Sequence, residues 1–397
     1  MVGDCHGEHP WDLIGRERLE RASSRKWSLH PGTIGAWVAE MDFGTAPPVR
    51  EAIQRAVTDD HLGYLSPATA SELAEATAEW QASAYGWHVD PAHVHAVSDV
   101  MAALGVAVGE YSREDSAVIV PTPAYMPFLT YLETLGRRVV QVPGVQVDGR
   151  WTHDLEGIDR AFADGAGTLV LCNPHNPTGT VVPRTELEAI SRIVERHGGR
   201  VFADEIHAPI RFDGAEHVPY ASVSPATAAH TITGTSASKA WNIPGLKTAQ
   251  LIISNPADEA RYNRFGFAVV HGASTLGVVA STAAYRHGGP WLDDAVAYLL
   301  RNRELLRRRL AERLPQVRWS PPEATYLAWL DCGELDLSGS PAELLRQRAG
   351  VTVTDGALCG TGFDDHVRLV FATPAPVLDE AIDRITDTLS PATAGIR

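Results

Sequence analysis

The sequence predicts an α/β protein, with a mainly parallel sheet in a large domain, residues 46–288, and a smaller α+β domain built from residues 1–45 and 289–397. Three observations carry this. Short apolar runs bounded by turn residues alternate with stretches of helical period through about residue 285. One long amphipathic stretch, Trp291 to Leu314, follows them. Beyond Pro321 short strand-like and helical runs mix without that alternation. The chain has 397 residues, which suits two lobes better than one small core.

Taken in order, residues 1–45 read as an extended arm that carries the segment Gly35 to Phe43, with Trp37, Val38, Ala39, Glu40 and Asp42 inside it. Pro47 and Pro48 precede Val49 to Val57, whose apolar residues recur at helical spacing. His61 to Pro67 is rich in turn formers. Ser71 to Tyr85 reads as a long helix with Ser71 as its N-cap. His93 to Val97 reads as a strand, and Ser98 to Ala103 opens a helix behind it. Thr168 to Cys172, Val201 to Asp204 and Thr231 to Thr235 are short apolar runs of the buried-strand kind. The arginine-rich stretch Arg301 to Arg309 reads as the solvated face of the long helix.

Composition narrows the function classes. Hydrophobic residues make up 44% and charged residues 21%, as in ordinary globular proteins. The net charge of −15 and the lack of a basic stripe argue against nucleic acid and anionic membranes as partners. The cysteines, Cys5, Cys172, Cys332 and Cys359, have neither metal-ligand spacing nor the density of a disulfide framework, so no metal site is expected. The polar N-terminus lacks a signal-peptide pattern, and no window approaches the roughly 18 apolar residues of a membrane helix. The expectation is a cytoplasmic protein.

The chemistry is written at three strand ends. After Thr168–Cys172 come Asn173, His175, Asn176 and Gly179 in a loop of prolines and turn residues. The next strand ends on Asp204, followed by His207. The third delivers Thr235, Ser236, Ala237, Ser238 and Lys239, with Gly245 and Lys247 beyond. A lysine that forms a Schiff base needs small neighbours and a lowered pKa. Ser236 and Ser238 can hydrogen-bond a phosphate, and Lys247 can add positive charge to it. A carboxylate at Asp204 can pair with a pyridinium nitrogen and keep the ring an electron sink. Each motif alone is ordinary, and a lone Ser-Lys is usually an exposed loop. Three polar strand ends in this order suit a site at the carboxyl edge of an open α/β sheet.

With these residues the chain resembles the aminotransferase class I/II superfamily of pyridoxal-phosphate (PLP) enzymes, fold type I. It is similar in particular to the MalY/PatB branch of cystathionine β-lyases and cysteine-S-conjugate β-lyases. The marks of the branch are Trp37 to Phe43, Asp204 to His207, Ser236 to Lys247, Ala324 to Leu330 and Val367 to Thr373. The resemblance implies that Lys239 carries the cofactor and later moves the Cα proton. It implies that Asp204 pairs with the ring nitrogen, that Asn176 and His207 lie near the ring oxygen O3′, and that Tyr125 stacks on the ring. Backbone N–H groups of Val100 and Met101 would bind the phosphate at a helix start. Tyr64 would reach that phosphate from the other subunit of a homodimer. Arg368 would bind the substrate α-carboxylate, with Asn176 and the backbone of Val38 and Ala39 closing over it.

The activity implied is carbon–sulfur β-elimination on L-cystathionine or another L-cysteine S-conjugate, yielding a thiol, pyruvate and ammonia. The alternatives are an aminotransferase, a secondary-metabolism enzyme that cleaves or oxidatively deaminates a bulky cysteine conjugate, and a regulator that binds a transcription factor. Glu40, Met126, Thr180, Cys359 and Val370 depart from the branch pattern. Several of them are expected near the pocket mouth, where they would adapt it to a substrate other than cystathionine.

Overall fold

The computed structural model describes residues 9–390. Cys5 and the polar N-terminal stretch lie outside the described residues.

A seven-stranded sheet forms the larger layer. Its strands are β1 (Val94–Val97), β2 (Val118–Thr122), β3 (Val139–Pro143), β4 (Thr168–Cys172), β5 (Arg200–Asp204), β6 (Thr231–Thr235) and β7 (Ala249–Ile253). They lie in the order β1-β7-β6-β5-β4-β2-β3. Only β7 runs against its neighbours. The strands read as near-continuous apolar runs because both faces are covered. Their side chains alternate between two cores. Val118, Val120, Val170 and Phe202 pack with Val100, Leu104, Phe128 and Leu132. Ile119, Leu169, Leu171 and Val201 pack on the other face with Ile158, Phe162, Leu187 and Ile190. Each such side chain contributes about 1.5–3 kcal/mol when fully buried.

The smaller layer is a three-stranded antiparallel sheet of β8 (Leu327–Asp331), β9 (Thr354–Asp355) and β10 (His366–Val370), ordered β8-β10-β9. The N-terminal segment joins it: Ile34–Gly35 pairs in parallel with Val351–Thr352. The long helix Gly289–Arg313 lies beside the helix Ala375–Leu389. Asn302 ties it to the end of β10, donating to the Phe371 and Thr373 carbonyls at 2.9 and 2.7 Å.

Three local expectations change. Residues 10–28 form short helices, Pro10–Leu13, Arg16–Arg21 and Arg25–Ser28, in place of an extended arm. The helix expected to start at Ser71 spans Pro67–Tyr85. Ser66 caps it by accepting from the Thr69 N–H at 3.1 Å, and Pro67 occupies the first turn, where no N–H is needed. The arginine stretch is not wholly solvated. Arg303 is buried and donates to the Pro322 carbonyl at 3.0 Å, while Arg309 and Arg313 pair with Asp383 on the neighbouring helix.

Candidate functional site

The strands β1, β4, β5 and β6 point the same way, so the segments after them converge at one edge of the sheet. In-register pairing places Cys172 beside Asp204, and Asp204 beside Gly234. A cavity of about 220 Å³ opens there. Its walls include Ala39, Val100, Met101, Tyr125, Asn176, Asp204, His207, Ser236, Ser238, Lys239 and Lys247. These side chains come from six separate stretches of sequence, which only the sheet brings together.

Lys239 Nζ donates to the Ala39 carbonyl at 2.9 Å. The Tyr326 hydroxyl donates to the same oxygen at 3.0 Å. Burial, and then the Arg368 guanidinium, lower the Lys239 pKa to about 8, against the opposing pull of Glu40 and Asp204. Asp204 faces Lys239 with its pKa raised to about 7, first by burial. Its Oδ1 accepts from the Ile206 N–H at 3.1 Å, which turns the chain out of β5. Beneath it the Cys172 thiol contacts Oδ2 at 3.9 Å. The His207 imidazole is buried, with Nδ1 lacking a hydrogen-bond partner among the described residues. Burial, Lys239 and Arg368 hold its pKa well below the ordinary value, so it is neutral.

Asn176 and Arg368 form one unit. Arg368 Nη1 donates to Asn176 Oδ1 at 2.9 Å, which leaves the Asn176 NH₂ as its outward donor. Arg368 Nη2 donates to the Trp37 carbonyl at 2.8 Å and to Thr354 Oγ1 at 3.1 Å. Arg368 is buried, and no carboxylate pairs with it among the described residues. A buried guanidinium held by neutral acceptors is poised to receive an anion. Gly179, which closes the Asn176 loop, has φ +71°, and a Cβ on it would lie 2.3 Å from Pro322 Cβ.

At the far end of the cavity Lys247 forms an ion pair with Asp99. Asp99 also caps the helix Val100–Val106, its Oδ1 accepting from the Ala102 N–H at 2.8 Å. Ser236 donates to the Thr248 carbonyl at 2.7 Å and accepts from the Ser238 N–H at 3.0 Å. Its one proton is thus engaged in bracing the loop. Tyr125 stands just before the helix Met126–Thr134, its ring edge-on to Phe128 at 5.4 Å. Val38 is half-buried and accepts the Glu40 N–H at 2.8 Å.

Three expected site residues do not line the cavity: Val38, which precedes Ala39, Arg368, which lies behind Asn176, and Tyr64, which is remote from it. Tyr64 is 92% exposed and lines a separate surface groove with Phe267 and His271. The departures from the branch pattern are also placed differently from expectation. Thr180, Cys359 and Val370 are buried and line no part of the cavity. Thr180 bonds to Thr178, Cys359 packs on Trp329 and Phe363, and Val370 pairs with Leu327. Met126 lies against the Cys359 cluster. Two of the departures adjoin cavity residues in sequence, Glu40 beside Ala39 and Met126 beside Tyr125.

Sequence reasoning missed the residues that hold the segment 37–43 in place. Lys26 Nζ donates to Asp42 Oδ2 at 2.7 Å and to the Glu40 carbonyl at 3.2 Å. Trp27 Nε1 donates to Asp42 Oδ1 at 2.9 Å. Asn242, three residues past Lys239, clasps Met41 through both its N–H and its carbonyl. The one signal available was a Lys-Trp pair in an otherwise polar stretch. Asp331, Asp365 and His366 also cluster, but Arg318 already pairs with Asp331.

Residues 38–385 match the sequence pattern of the aminotransferase class I and II family. The chain belongs to that family. It is similar to a cystathionine β-lyase from Corynebacterium glutamicum, 37% identical over 94% of this chain and 98% of that one. It is also similar to the cystathionine β-lyase PatB from Bacillus subtilis, 31% identical over 94% and 99%. The fold matches the PLP-bound C–S lyase from Staphylococcus hominis with a TM-score of 0.89, at 30% identity over 96% of this chain and 99% of that one. As a member of the aminotransferase class I and II family the chain has the α/β architecture expected from sequence, and its cavity lies at the carboxyl edge of the family's sheet. Among the described residues no helix is long and apolar enough to cross a membrane.

Proposed function

We propose that the protein is a PLP-dependent carbon–sulfur β-lyase that converts an L-cysteine S-conjugate, L-cystathionine among them, and water into a thiol, pyruvate and ammonium. The observation that carries the reading is the cavity itself. It gathers a half-buried lysine with a pKa of about 8, a buried carboxylate, and an asparagine bonded to a buried arginine that no carboxylate pairs among the described residues. The names of relatives 31% and 37% identical over nearly the whole chain support lyase chemistry on that site.

The residues fit PLP on three grounds. Lys239 has a low pKa and no carboxylate bonded to it, the buried His207 Nδ1 lacks a partner, and Asn176 turns a donor away from Arg368. Lys239 would hold the cofactor covalently through Nζ, Asp204 would pair with its ring nitrogen, and Asn176 and His207 would sit near its ring oxygen. Tyr125 would cover a ring face. Val100, Met101, Ser238 and Lys247 would hold its phosphate, with Ser236 bracing their loop. When bound, PLP supplies an electron sink for the pair left at Cα.

The chain's own residues do the rest. Arg368 takes the substrate α-carboxylate in a two-pronged bond, and Asn176 and the segment at Val38 and Ala39 fix its orientation. Lys239 Nζ removes the Cα proton as a general base, and its pKa near 8 suits that task. The β-thiolate then departs and takes up a proton. Tyr64 would complete the phosphate site of a second copy, which makes the working unit a cytoplasmic homodimer. The division of labour is a large part, 46–288, that holds the cofactor, and a small part, 1–45 with 289–397, that brings Arg368.

Product analysis tests the reading. Purified PLP-loaded protein is incubated with L-cystathionine without added keto acid, and pyruvate and thiol are quantified. Stoichiometric pyruvate and thiol are expected. Amino-group transfer to an added keto acid, without thiol, overturns the lyase in favour of an aminotransferase.

A further inference from the structure

Lys239 Nζ and the Tyr326 hydroxyl donate to one acceptor, the Ala39 carbonyl, at 2.9 and 3.0 Å. A carbonyl oxygen has two lone pairs, so this one is filled. The chemistry above gives Tyr326 no task. It is fully buried, just before β8. The carbonyl it bonds belongs to a fixed peptide unit. The Glu40 N–H of that unit donates to the Val38 carbonyl at 2.8 Å, so with Tyr326 on the oxygen the unit is held at both ends.

An uncommon backbone aims the tyrosine. Thr325, immediately before it, is buried with φ +70°. A β-branched residue is rare in that left-handed region and keeps it only where its neighbours hold it there. Here they do. The Thr325 N–H donates to the Ile210 carbonyl at 3.0 Å, and Oγ1 accepts from the Leu327 N–H at 3.1 Å. The Ile210 N–H in turn donates to the His207 carbonyl at 3.0 Å, and the Tyr326 carbonyl accepts from the Phe371 N–H at 3.1 Å. The turn that carries His207 and the segment that carries Tyr326 are thus one framework. Within it the Tyr326 ring stands at 77° to the His207 imidazole, with 6.0 Å between centroids.

A neutral lysine amine carries one lone pair and turns easily about its Cε–Nζ bond. Donation of one N–H to a fixed oxygen restrains that rotation and directs the lone pair away from the oxygen. We propose that Tyr326 is a positioning residue for the general base: its hydroxyl fixes the Ala39 carbonyl, and that carbonyl orients the Lys239 amine to take the Cα proton. A tyrosine kept only to satisfy its buried hydroxyl would matter for stability and leave proton transfer unchanged.

The proposal rests on the function proposed above for the role of Lys239, but not on the departure of sulfur, so its test uses an amino acid without a leaving group. PLP-loaded protein is incubated with L-alanine in D₂O, and NMR follows replacement of the Cα hydrogen. Tyr326→Phe removes the hydroxyl and keeps the ring. Exchange is expected to slow about tenfold or more, with L-alanine binding, read by absorbance, within about twofold of wild type. A second readout starts from the apoprotein. The pH profile of PLP capture reports the Lys239 amine, whose pKa is about 8. In Tyr326→Phe the carbonyl, freed of its second donor, holds the ammonium form more strongly, and the midpoint is expected to rise by about half a unit. Arg368, Glu40 and Asp204, the charged groups that act on Lys239, are the same in both proteins. Thr325→Gly is the second variant, because it keeps the hydroxyl and suits a positive φ. Loss of its bond to the Leu327 N–H is expected to loosen the tyrosine and slow exchange about threefold. The proposal is overturned by exchange within about twofold of wild type in Tyr326→Phe, or in Thr325→Gly where the first variant does not fold. An unmoved capture midpoint overturns it too, as does L-alanine binding that falls in step with exchange. Slowed exchange in a protein that yields no thiol from L-cystathionine would retain the role of Tyr326 and count against the lyase.

Discussion

Replacing Lys26 by methionine probes the support beneath the substrate side of the cavity. Lys26 and Asp42 are buried, with side-chain exposures of 0% and 5%. Methionine preserves the length of the lysine stem, so packing changes little and the electrical loss dominates. Asp42 Oδ2 would lose the ammonium at 2.7 Å and keep only the Trp27 N–H on its other oxygen. Leaving one member of a buried pair uncompensated costs about 3–5 kcal/mol. The Glu40 and Ala372 carbonyls accept from the same ammonium at 3.2 and 3.4 Å, long bonds that add at most about 1 kcal/mol each. The expected loss is thus about 4 kcal/mol, concentrated in residues 36–43. Hydrogen exchange read by mass spectrometry reports that segment directly. Amide protection there should fall by roughly three powers of ten if the segment opens on its own. Adding Asp42→Asn removes the stranded charge and should recover at least half of the loss. A Lys26→Met protein whose segment exchanges within fivefold of wild type would refute the reasoning, as would a double variant no better than the single one.

Two further outcomes follow from the geometry. Capture of PLP by the apoprotein should accelerate as pH rises through about 8 and then level, because only the neutral Lys239 amine attacks and its pKa is lowered to about 8. A stopped-flow absorbance profile with its midpoint near 10 would contradict this. Arg368→Lys should lower kcat/KM about a hundredfold or more, mostly through KM, because an ammonium cannot hold Asn176, Trp37 and a carboxylate in one planar fork. Steady-state kinetics on L-cystathionine would show it.

The strand ends were legible because their signal is local. An apolar run followed by Asn176, Asp204 or Lys239 announces both the strand and the residue it delivers, and a parallel sheet with alternating helices sends those ends to one edge. Helix starts were less legible. Ser66 and Ser71 are both acceptable caps in sequence, and Pro67 with the Thr69 N–H decided between them.

Sequence alone therefore determined the fold class and the family, and it named the candidate residues that the sheet gathers at one edge, since each depends on residue type and short spacing. Tertiary structure alone decided how those groups are held. Lys26 meets Asp42 across 16 positions, Lys239 meets the Ala39 carbonyl across 200, and Arg368 meets Asn176 across 192. No periodicity records contacts at such separations. Tyr64, Cys359 and Val370 make the same point from the other side. A matching or unusual residue type says nothing about whether packing turns it toward the cavity, buries it, or leaves it exposed on the surface.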